Sequence, residues 1–132
     1  MSTELKLDDL KKICQELTKL INTIREEVSD AFDMGEISTQ QFLRAKDKWG
    51  DLETIELELQ GYIDHTELDF ILNTNVDSPY SRILQATNRL KNSARNINNF
   101  NNFLSDVTEV LNIFTSTVQT VQTGGIIDLQ DI

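Results

Sequence analysis

The chain has 132 residues, 39% of them apolar and 26% charged, and a net charge of -10. That length fits one domain, and the acidic balance repels nucleic-acid phosphates and anionic lipid, which lowers the expectation of either partner. One proline and five glycines leave few turns and argue against β-rich folds, while the single cysteine, Cys14, excludes an internal disulfide and a cysteine-built zinc site and points to a reducing, cytoplasmic setting.

Met1 to Leu10 alternates in charge and has no apolar run of signal-peptide length, and no later stretch reaches the roughly 18 apolar residues of a membrane span. The first predicted helix runs from about Asp8 to Phe32. Leu10, Cys14, Leu17, Ile21, Ile24, Val28 and Ala31 form a heptad seam, widened by Ile13 and Leu20, and Asp8 and Asp9 suit the positive end of the helix dipole. Cys14 on that seam reads as a small buried hydrophobe rather than a nucleophile.

The next segment carries the best-defined turn signal. Gly35 is placed to end the first helix in a left-handed conformation; Ser38 and Gln41 form a capping box, and Ile37 and Phe42 occupy the positions of a hydrophobic staple. Asp30, Gly35 and Ile37 also fall at positions 1, 6 and 8 of a calcium-binding loop. Phe32 and Met34 then stand at positions 3 and 5, where oxygen ligands are needed, and Gln41 replaces the bidentate glutamate at 12, so a helical hairpin is the better reading.

The second helix is predicted from Thr39 to about Leu72, with a stripe of Phe42, Ala45, Trp49, Leu52, Ile55, Leu59, Tyr62, Ile63, Thr66 and Phe70. Gly50 and Gly61 interrupt it, each at a cost of about 1 kcal/mol against alanine. His65 is the only histidine, so neither a pair of Glu-x-x-His motifs nor a separate catalytic histidine is available, and its acidic neighbours make it a solvated helix position.

Asn73 to Ser78 reads as a loop, with Ser78 as cap and Pro79 in the first turn of a third helix that extends to Thr123. Its seam is Ile83, Thr87, Leu90, Ala94 and Ile97, then Phe100, Leu104, Val107, Leu111, Phe114, Val118 and Val121. The heptad slips between Ala94 and Phe100, where Asn96, Asn98, Asn99, Asn101 and Asn102 are poor helix formers. A bend or break belongs there. Ile126, Ile127, Asp128 and Leu129 resemble the short apolar-acidic segments that bind ubiquitin-like modifiers by strand addition.

The predicted architecture is all-α: an antiparallel bundle of three long coiled-coil-like helices, or four if the last breaks near Asn98 to Asn102. Residues 1–123 form one domain and 124–132 a flexible tail. Counting residues across tight antiparallel turns leaves Ile63, Phe70, Ile71, Tyr80 and Ile83 uncovered at one end and Phe114, Val118 and Val121 overhanging at the other, a candidate interaction surface. The same counting sets Glu56 opposite Arg95 as an internal ion pair. It also lays the basic stretch containing Arg82, Arg89, Lys91 and Arg95 against the acids of the second helix.

No phosphate loop, metal-ligand constellation or catalytic set appears in the sequence, so neither cofactor nor enzymatic activity is expected. The leading functional expectation is a helical protein-protein interaction module, an oligomeric adaptor or small subunit of a larger assembly, with self or another protein as partner. A membrane-acting helical protein is the alternative, since Val107 to Val121 is free of Lys and Arg, and nucleic-acid binding through Arg82 to Arg95 is the second alternative.

Overall fold

In the computed structural model, which describes residues 4–65, 71–127 and Leu129, the elements in chain order are β1 (Glu4–Lys6), α1 (Leu7–Asp33), α2 (Thr39–Asp64), β2 (Ile71–Thr74), α3 (Pro79–Arg95), α4 (Phe100–Thr123) and β3 (Ile126–Ile127). The chain is mostly helical, with four helices packed against one another.

Every residue of the heptad seam of α1 is buried, together with Leu7, Ile13 and Leu20. The turn after it forms as its chemistry dictates. Gly35 takes φ +74, and the Gly35 and Glu36 amides donate to the Phe32 and Ala31 carbonyls at 3.1 and 2.8 Å, a Schellman closure. Ser38 Oγ accepts from the Gln41 amide at 3.1 Å, and Gln41 Oε1 accepts from the Ser38 amide at 2.9 Å. Phe42 stacks on Phe32 at 4.5 Å between ring centroids and meets the edge of Trp49 at 6.1 Å, fixing the hairpin at its turn.

The long third helix does not form. It ends at Arg95, and a short link centred on Asn96 to Asn99 reverses the chain into α4. Asn96 leaves helical geometry at φ -116, and the Asn99 side chain accepts the Asn102 amide at 3.5 Å, capping α4. Asparagine side chains here compete with the helix ladder, so the weak point becomes a turn. Arg89 and Glu109 then meet at 3.0 Å, and the Ser93 hydroxyl donates to the Asp106 carboxylate, as antiparallel neighbours.

Two helical hairpins therefore lie side by side. α1 packs on α2 and α3, and α4 packs on α3 and α2, leaving α2 and α3 as a diagonal pair. With α4 folded back, its buried stripe becomes Phe103, Val107, Val110, Phe114 and Thr117, widened by Ile113 and Val118, while Leu104, Leu111 and Val121 are only half-buried.

The helix ends opposite the two turns converge on a small sheet of order β1-β2-β3. β1 pairs antiparallel with β2, Leu5 opposite Leu72, and β2 pairs parallel with β3, Thr74 opposite Ile127. Leu5, Leu72, Ile127 and Leu129 are buried and close the core at this end. Within the expected flexible tail, Ile126, Ile127 and Leu129 are docked: the Asn75 amide donates to the Ile127 carbonyl at 3.4 Å, and Asn75 Oδ1 accepts from the Leu129 amide at 2.9 Å. Helix α2 ends at Asp64 rather than near Leu72, because Ile71 to Thr74 joins the sheet. Ser78 precedes α3 as expected, but in left-handed geometry at φ 52 with no side-chain cap; its carbonyl accepts from Arg82 at 3.1 Å.

Candidate interaction surface

The return of α4 dismantles the surface expected from a continuous rod. Ile63, Ile83, Phe114 and Val118 are buried in the chain's own core, and Tyr80 and Val121 pack half-buried against it. Ile71 contributes its backbone to β2, and Phe70 lies outside the described residues. The overhang disappears because the residues that would have projected beyond the second helix are paired with α3 instead.

The Glu56 to Arg95 pair also fails, since α2 and α3 are diagonal. Glu56 turns towards α1 and accepts the Thr18 hydroxyl, while Arg95 stands exposed in the last turn of α3. The basic stretch finds acids on other helices than expected: Arg89 meets Glu109 of α4, and Lys91 meets Glu16 of α1 at 3.8 Å.

Beside Glu56 lies a polar seam between α1 and α2. The Cys14 thiol donates to Gln60 Oε1 at 3.2 Å, and Gln60 Nε2 donates to Asp64 at 2.8 Å. Burial, then the Glu56 and Asp64 carboxylates, raise the thiol from an ordinary 9.0 to about 11. Cys14 is therefore a neutral thiol near pH 7 and a poor nucleophile. Thiolate absorbance in the native chain is expected to titrate near 11 and not near 9. Because the folded value is the higher one, stability contributed by this group is complete below about 9 and falls as pH rises through about 11. A native midpoint near 9 would refute the assignment.

Among the described residues, no group of three or more His, Cys, Asp or Glu side chains is placed to hold a metal ion, and no helix is long and apolar enough to cross a membrane. The depression at the α3-α4 turn is lined by Asn92, Ser93, Asn96, Asn99 and Asn102. Two of these side chains serve the turn itself, Asn96 bonding the Asn92 carbonyl and Asn99 capping α4.

What remains open is the outer side of α2. At 3.6 residues per turn, Ala45, Leu52, Leu59 and Ile63 share the buried face, and Leu43, Gly50, Leu57 and Gly61 share the opposite one. Leu43 is 53% exposed and Leu57 72% exposed. A Cβ at Gly50 or Gly61 would meet nothing within 4 Å, so neither glycine is required by packing inside this chain. The apolar stripe read from the sequence, Phe42 to Phe70, follows the buried face of α2 and leaves Leu43 and Leu57 out. The signal of the outer face was the phase: seven residues after Gly50 and fourteen after Leu43, Leu57 lies across the helix from Leu52.

Comparison with protein-family models, with curated proteins and with solved structures finds no match for this chain.

Proposed function

We propose that the protein is a non-enzymatic helical interaction module that associates with another protein chain through the outer face of α2. The observation that carries this reading is the exposure of Leu43 and Leu57 on a helix whose opposite face is fully committed to the core. Leu43 and Leu57 lie about 21 Å apart along the helix at 1.5 Å per residue, so they offer a partner two separate apolar anchors with polar and charged residues between and around them. The alternatives lose ground on specific contacts. Arg89 and Lys91 are engaged by Glu109 and Glu16, which shrinks the basic patch a nucleic acid would need. Val107, Phe114 and Val118, offered as a membrane-active face, are core residues.

The test compares the native chain with Leu43→Glu/Leu57→Glu, whose substitutions are exposed and are expected to leave the helical spectrum unchanged. Chemical cross-linking in a cell extract, followed by mass analysis, should give a stoichiometric protein adduct, self included, that the double variant loses. Adducts identical for the two proteins would refute the reading, as would flotation of the native chain with liposomes.

A further inference from the structure

We infer that the occupant of the α2 face is a second copy of this chain, docked antiparallel about a two-fold axis near Leu52; this rests on the interaction-module reading above. The observation that selects a second copy is the polarity of charge along α2. From Thr39 to Gly50 the helix carries Arg44, Lys46 and Lys48 against one acid, Asp47; from Asp51 to Asp64 it has no Lys or Arg, and with Glu56 turned to Thr18 of α1 and Asp64 bonded to Gln60, Asp51, Glu53 and Glu58 are the acids left for a second copy. Among the described residues, Arg44, Lys46, Asp51, Glu53 and Glu58 form no ion pair within the chain. Such a helix repels a parallel copy and attracts an antiparallel one, because reversal lays each basic half along the other acidic half.

The register follows from the exposed heptad. Leu43, Asp47, Gly50, Thr54, Leu57, Gly61 and Asp64 are spaced 4, 3, 4, 3, 4 and 3 along one stripe. In an antiparallel pair the two kinds of seam position face one another. A two-fold near Leu52 then sets Leu43 of each copy over Gly61 of the other, Leu57 over Asp47, and Gly50 opposite Thr54. Gly61 leaves open space where its Cβ would be, so the Leu43 side chain of the second copy has a notch to enter. Beside the stripe, Arg44 of one copy falls opposite Glu58 of the other, and the two-fold makes that contact twice. The interface is isologous, so it closes at two chains and leaves no second half exposed.

Sedimentation equilibrium of the full chain tests this. The native protein is expected at twice its chain mass at micromolar concentration. Gly61→Gln, which places a good helix former where the monomer has room, should keep or raise helicity while weakening the dimer at least about tenfold. Arg44→Glu and Glu58→Arg should each weaken it by about tenfold at low salt, since each converts two attractive contacts into repulsive ones. Combining them restores attraction, and the double variant should return to within about threefold of the native affinity. A native monomer at all concentrations overturns the second-copy assignment. If the Leu43→Glu/Leu57→Glu pair then still abolishes a cross-linked adduct with a different protein, the interaction-module reading survives without it. A dimer indifferent to Gly61→Gln, or one not rescued by the double charge reversal, overturns the antiparallel α2 register.

Discussion

Leu52→Ala is expected to destabilise the fold by about 2–5 kcal/mol, whereas Leu57→Ala, five residues along the same helix, should change stability by less than about 0.5 kcal/mol. Leu52 is fully buried on the side of α2 that meets α1 and α4, so truncation removes its transfer free energy and leaves a cavity between three helices. Leu57 is 72% exposed and has no comparable packing to lose. The two substitutions remove the same atoms from one helix and differ only in the direction the side chain faces. Urea denaturation, at concentrations low enough for the chain to be monomeric, measures both. Equal losses would mean that α2 is rotated about its axis relative to the structure, and the interaction face would fall with that assignment.

The parts of the fold legible in the sequence are those coded by long periodicity or by local cap chemistry. α1 carries seven seam residues at unbroken heptad spacing, and all seven are buried. Gly35, Ser38 and Gln41 specify their turn through contacts within six residues of one another, so no knowledge of the rest of the chain is required. The asparagine cluster marked where the last helix yields, but propensity fixes only that a segment is weak and not where the chain goes next. That outcome is decided by burial. Folding α4 back covers Phe114 and Val118, which a straight rod would leave in water.

The strands were not legible because β1, β2 and β3 are three, four and two residues long, too short to display a period of two. Their pairing joins the two ends of the chain to its middle, and nothing local to Leu5, Leu72 or Ile127 records those neighbours. The error in the Glu56 to Arg95 register has the same origin. It assumed that helices adjacent in sequence are adjacent in space, whereas the sheet lets the connection from α2 to α3 cross a diagonal.

Ile127→Asp should lower stability by about 3–5 kcal/mol, the scale of leaving a carboxylate buried without a partner, while Ile126→Asp should be neutral within about 0.5 kcal/mol. Adjacent strand residues point to opposite sides. Ile127 is fully buried and Ile126 is 66% exposed, so the pair probes one docked segment from its two faces. Undocking the tail is the chain's escape from burying the charge. It limits the loss to what Ile127 and Leu129 gain by burial, about 1.5–3 kcal/mol each, together with the hydrogen bonds to Asn75. Undocking has its own signature: the Asn75 amide, which donates to the Ile127 carbonyl, should exchange with solvent faster in Ile127→Asp and at the native rate in Ile126→Asp. Leu10 and Leu52, buried deep within the helices, should remain protected in both. Equal stability and equal Asn75 exchange in the two variants would return residues 124–132 to the flexible tail that their composition suggests, and would leave β2 with β1 as its one partner among the described residues.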